Sequence, residues 1–70
     1  SDTYIRFLVE DGNAQLKEYR KKNNLSVNNF ANMMGVDRST IRRWEHYENT
    51  ISYENYLKYK KIRDLRSVKT

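Results

Sequence analysis

Three times along the chain an apolar residue precedes a capping residue and is matched by a second apolar residue five positions on: Leu25, Ser26 and Phe30; Val36, Asp37 and Ile41; Ile51, Ser52 and Tyr56. In this arrangement the Ser or Asp side chain accepts a hydrogen bond from a free N–H of the first turn, and the two apolar groups clasp across it. The pattern predicts helices that start near Ser26, Asp37 and Ser52. After Ser26, the residues Val27, Phe30, Ala31 and Met34 recur at the spacing of one buried helix face. Gly35 follows, a residue free to take positive φ, and the helix is expected to end there. Two short helices joined by a tight turn result.

An earlier helix is expected from about Asn13 to Asn23, with Leu16, Tyr19, Arg20 and Asn23 on one face. Arg20 is out of place among apolar neighbours, because an unpaired buried ion costs several kcal/mol. At 100° per residue, the stretch Asp37 to Tyr47 puts Thr40, Ile41 and Trp44 on one side with Glu45 at its edge. Glu45 is therefore the expected ion-pair partner of Arg20. The opposite side carries Arg38, Ser39, Arg42, Arg43 and His46, donors at nearly every position. Trp44 and Phe30 lie on apolar faces and are assigned to the core.

Both ends of the chain are harder to read. Tyr4 to Val9 suits a strand by residue type, whereas Gly12 suits a helix C-terminus; a short helix from Asp2 or Thr3 to Asp11 is the favoured reading. Near the C-terminus Tyr53, Tyr56 and Leu57 share a face, but Lys60 falls within it and Ile62 and Leu65 turn elsewhere. The expectation is a helix that breaks between Tyr59 and Lys61, or one whose second half packs on another surface such as a dimer partner. Residues 1–12 are taken as an N-terminal extension, 13–62 as the domain and 63–70 as a basic helix end or tail.

Composition narrows the function. Seventy residues allow one small domain that buries about 60% of its unfolded surface, too little for a deep catalytic pocket with a supporting shell. With no cysteine there is no disulfide or thiolate metal site, which suits a reducing cytoplasm. The single histidine, His46, has no ligand partner nearby in sequence, so no metal and no cofactor is expected. No apolar run reaches the roughly 18 residues of a membrane span, and Tyr4 to Val9 is too short and wrongly flanked for a signal peptide. No HExxH, phosphate-cradling glycine loop or nucleophile–base spacing is present, and no enzyme activity is expected. The formal charge of +5 favours a polyanionic partner, nucleic acid before membrane. That excess is uneven: residues 16–25 carry +3 and 50–70 carry +4, whereas 37–49 balance three arginines against three acids.

The stretch LKEYRKKNNLSVNNFANMMGVDRSTIRRWE, Leu16 to Glu45, resembles the helix-turn-helix of the phage-repressor-like DNA-binding family, the lambda repressor and Cro type or XRE family. The family's small residue in the first motif helix matches Ala31, its turn glycine Gly35, its core aliphatics Val36 and Ile41, and its late apolar residue Trp44. Its arginine–glutamate pair falls on Arg20 and Glu45, and a weaker likeness runs through Ser52, Tyr56 and Leu57. The resemblance implies an all-α fold, a compact bundle of four or five helices, that binds double-stranded DNA, usually as a homodimer. The helix from about 38 to 47 would enter the major groove, with Arg38, Ser39, Arg42 and Arg43 on bases. Asn28, Asn29, His46, Asn49 and Thr50 would hold the DNA backbone. Two departures stand out. Val27 replaces a frequent glutamine after the cap, and the places from Tyr47 to Ile51 lack the usual glycine and proline, so that loop is open to reading as a helical extension.

These features together point to sequence-specific DNA binding by a bacterial or phage transcriptional regulator, cytoplasmic and associated with the nucleoid. Two alternatives stand beside it: a protein-interaction module, antitoxin-like or adaptor, that takes a protein partner through Tyr53 to Leu65, and the DNA-binding part of a mobile-element protein.

Overall fold

The computed structural model describes residues 2–67, and among them every regular element is a helix: α1 (Asp2–Val9), α2 (Gly12–Lys22), α3 (Val27–Met34), α4 (Arg38–Glu45) and α5 (Tyr53–Ser67). Residues 68–70 of the expected basic tail lie outside the described residues. The capping pattern sets the starts. Ser26 Oγ accepts from Asn29 N at 3.0 Å, Asp37 Oδ2 from Ser39 N at 2.9 Å and Ser52 Oγ from Asn55 N at 3.2 Å. Each such cap contributes about 1 kcal/mol. The apolar member before each cap also packs inward: Ile51 is buried, and Leu25 and Val36 lie against the core.

The helix ends share a device. α2, α3 and α4 are each followed by a left-handed residue, Asn24 (φ 57°), Gly35 (φ 67°) and Tyr47 (φ 62°). In each case the next N–H reaches back across the last turn: Leu25 to the Arg20 carbonyl, Val36 to that of Ala31 and Glu48 to that of Arg43, at 2.9, 3.0 and 2.8 Å. This motif satisfies carbonyls that a helix end leaves free, and with no proline in the chain it is what ends α2, α3 and α4. The stretch after α4 is therefore a capped turn, and the reading of Tyr47 to Ile51 as a helical extension is incorrect.

Side chains from all five helices and the loop before α5 meet in one core: Phe7, Leu16, Phe30, Ala31, Met34, Ile41, Trp44, Ile51, Tyr56 and Tyr59 are buried, with no buried charge among the described residues. Phe7 sits 5.1 Å from the Tyr56 ring and 5.6 Å from Tyr59, and Tyr19 bridges Tyr59 and Phe30. Tyr4 leans on Tyr53 and Tyr56 and donates its hydroxyl to the Ile51 carbonyl at 2.7 Å. Aromatic pairs of this kind add about 0.5–1.5 kcal/mol each beyond burial, which ties α1 to α5.

Two further expectations are corrected here. α5 is one unbroken helix. Its inward side carries Tyr56, Tyr59 and Ile62, with Lys60 and Arg63 half-buried beside them, and Leu57 and Leu65 face out at 46% and 62% exposure. That side escaped an apolar-only reading because tyrosine and the stems of Lys60 and Arg63 cover the core while their polar ends reach water; the Arg63 guanidinium lies over the Tyr59 ring. At the other end, Gly12 does not close α1. It opens α2 and is buried, and Asp11, itself left-handed, caps that helix through Ala14 N. A Cβ on Gly12 would come within 2.5 Å of Phe7 Cε2 and 3.0 Å of the Phe7 carbonyl oxygen, so glycine is required by close approach.

Gly12→Ala is expected to destabilise the fold by about 1–3 kcal/mol through overpacking, despite alanine's better helix propensity. Urea denaturation checks this, and adding Phe7→Leu should recover part of the loss.

Candidate nucleic-acid interface

The candidate interface depends first on how α4 is held. Its inward side chains, Ile41 and Trp44, are 1% and 2% exposed, which fixes the helix against the core along one edge. Glu45, at the next position round, meets Arg20 of α2 in a two-pronged ion pair: Nε to Oε2 at 2.5 Å and Nη2 to Oε1 at 3.0 Å. Arg20 Nη1 donates to the Leu25 carbonyl at 2.9 Å, so one guanidinium joins α2, the loop before α3 and α4. The hydrogen bond to Glu45 holds the Arg20 pKa above its ordinary value, against the opposing effect of burial.

Asn13, at the start of α2, holds the same C-terminal end of α4. Its Nδ2 donates to the Trp44 carbonyl at 2.8 Å and to the Asn49 carbonyl at 2.7 Å, tying α2 to the end of α4 and to the loop beyond. Sequence reasoning passed over this residue. The signal was present, since Asn13 precedes Leu16 by three positions and Arg20 by seven and so lies on the same face.

With its inner edge fixed, α4 turns the other edge outward. Arg38, Arg42, Arg43 and His46 are exposed, and Ser39 is half-buried. Ser39 is also occupied: its hydroxyl donates to Asp37 Oδ2, so toward a ligand it offers an acceptor. The hydrogen bonds from Ser39, side chain first and backbone second, hold the Asp37 carboxyl below its ordinary value of 3.8; Arg38 and Arg43 pull the same way. His46 is the C-cap of α4.

The residues expected at the DNA backbone divide into two places. Asn28 and Asn29 are exposed in the first turn of α3, and Asn49 and Thr50 are exposed in the loop before α5. Val27, where the family often has glutamine, is half-buried against the core and adds no donor. Tyr47 takes the left-handed position that glycine would occupy without strain, a conformation that costs an L-residue about 1–2 kcal/mol. The residue is 61% exposed.

Among the described residues no three His, Cys, Asp or Glu side chains gather where they could hold one metal ion, and no helix is long and apolar enough to cross a membrane. Residues 16–62 match the family model of the helix-turn-helix, the lambda repressor and Cro type. No curated protein and no solved structure matches the chain significantly. The matched segment starts after α1, so the helix that supplies Phe7 and Tyr4 lies outside the family pattern.

Glu45→Ala leaves the Arg20 guanidinium, whose side chain is only 14% exposed, without its carboxylate. A loss of about 3 kcal/mol is expected in denaturant titration, with most of it recovered in Arg20→Met/Glu45→Leu. Asp37 gives a pH effect. Because its folded-state pKa lies below the ordinary one, its contribution is complete above pH 3.8 and fades as pH falls through the folded value. Asp37→Asn caps without titrating, so the stability of the native chain relative to this variant should fall in that acid range and be constant above it.

Proposed function

The chain belongs to the helix-turn-helix family of the lambda repressor and Cro type, a DNA-binding family not typically enzymatic, and we propose that it reads double-stranded DNA sequence-specifically in a bacterial or phage transcriptional regulator. The observation that carries this reading is the outward edge of α4, where Arg38, Arg42 and Arg43 stand exposed on a helix held from behind by Ile41, Trp44 and the Arg20–Glu45 pair. A major groove admits one α-helix, and an arginine on such an edge can hold guanine O6 and N7 together, which is worth about 1–3 kcal/mol of discrimination. Ser39 adds an acceptor near the start of the helix. Asn28, Asn29, His46, Asn49 and Thr50 are the backbone contacts of this reading, in which residues 13–62 form the reading domain. It needs no cofactor and places the protein in the cytoplasm on the nucleoid.

A second reading is supported by the exposed Tyr53, Leu57 and Leu65 on the outer side of α5. Apolar groups at this spacing on a helix can take a protein partner or a second copy of the chain.

At fixed salt, Arg42→Ala is expected to lower affinity for a duplex selected from random sequence by about 1–3 kcal/mol and to relax preference at one base pair. Fluorescence-anisotropy titration against selected and scrambled duplexes measures both. Unchanged affinity for every duplex overturns the assignment of Arg42. A stoichiometric protein complex together with no salt-sensitive DNA binding favours the second reading.

A further inference from the structure

Beside α4 runs an open groove along the outer side of α2, lined by Ala14, Lys17, Glu18, Lys21, Lys22 and Tyr47. Three of these residues are lysines against one acid, and Lys17, Lys21 and Lys22 are all exposed. Lys17 and Lys21 are one helical turn apart, so their ammonium groups form a row along the helix. The groove adjoins the end of the reading helix, because Tyr47 belongs to the turn that caps α4. The Arg20–Glu45 pair and the two Asn13 hydrogen bonds hold α2 against α4, so the row of lysines has a set position relative to the arginine edge.

Tyr47 supplies an independent observation. It is a bulky residue in the left-handed region, at a helix end where glycine serves without strain, and such outliers concentrate at sites of use. Packing does not account for it, since the residue is largely exposed. Its hydroxyl reaches only Asp11 Oδ2, at 3.5 Å, too long for a strong hydrogen bond, and so it can donate to another acceptor. The occupant that fits is a polyanion with acceptor oxygens at regular spacing. Charge distribution points the same way: residues 16–25 hold +3, and with Arg20 paired to Glu45 the free cations of that segment are Lys17, Lys21 and Lys22, all on this groove.

We propose that Lys17, Lys21 and Tyr47 form a phosphate-binding track for the DNA backbone flanking the site read by α4. This rests on the duplex-DNA reading above. The track contributes affinity and salt dependence without sequence preference, in contrast to the arginine edge.

The test measures association with duplex DNA over a series of salt concentrations for the full chain and for Lys17→Gln/Lys21→Gln. The expected result is a slope of log K against log salt that is shallower by about one per lysine replaced, with the same loss on selected and scrambled duplexes. Trimming the duplex to the selected site should erase most of the difference between the two proteins. Tyr47→Gly, which relieves the left-handed strain, is expected to keep or raise the melting temperature and still to bind more weakly; unchanged affinity removes Tyr47 from the track. An unchanged slope in the double variant, with Arg42→Ala still impaired, overturns the track and leaves the reading of α4 standing. Poly-glutamate that binds the native chain but not the double variant, with the DNA slope unchanged, assigns the groove to an acidic protein segment and also overturns it. If the native chain binds no duplex at all, the DNA reading fails and the track with it.

Discussion

The Arg20–Glu45 ion pair is the constraint on which the arrangement of this small bundle depends. α4 has only eight residues and buries two large side chains, Ile41 and Trp44, a non-directional contact to which the ion pair adds direction. A planar guanidinium that grips both oxygens of one carboxylate permits a single geometry, and the third bond, to the Leu25 carbonyl, brings the entrance to α3 into the same arrangement. Replacing both partners with apolar groups could keep the stability. What it would give up is the direction imposed on the helix that carries Arg38, Arg42 and Arg43.

The rest of the molecule extends this constraint. Asn13 holds the same C-terminal end of α4 and the loop after it, so both ends of α2 are tied to the point where α4 stops. α1 and α5 close the core from the other side through tyrosine and phenylalanine rings. Rings suit a bundle this small, since each covers a large area while adding few rotatable bonds to be ordered.

Local chemistry was legible in the sequence and tertiary context was not. The caps at Ser26, Asp37 and Ser52 depend on residues within one turn, as does the left-handed Gly35, and so they could be read from neighbours. The Arg20–Glu45 pair spans 25 positions, yet it too could be anticipated, because a charge on an apolar face calls for a counter-charge on the facing one. Gly12 failed for the opposite reason: its need for no side chain comes from the Phe7 ring above it, and a nearby glycine reads equally well as a helix end. Tyr59 and Arg63 failed because a two-letter division into apolar and polar has no place for side chains that are both. Tyr47 shows the limit of turn chemistry, since the turn forms without the glycine that normally announces it. Of the interface, the arginine edge followed from helical period alone, whereas the groove beside it depends on how α2 and the end of α4 meet in space.

The chain has a single tryptophan, and the fold places it on the inward side of α4, 2% exposed. Trp44 also offers its carbonyl to Asn13, one residue before the carboxylate that holds Arg20. Its indole emission therefore belongs to α4 and to no other element, and any event that loosens that helix from the bundle brings the indole into water. The protein thus carries its own optical probe of whether α4 is seated against the bundle.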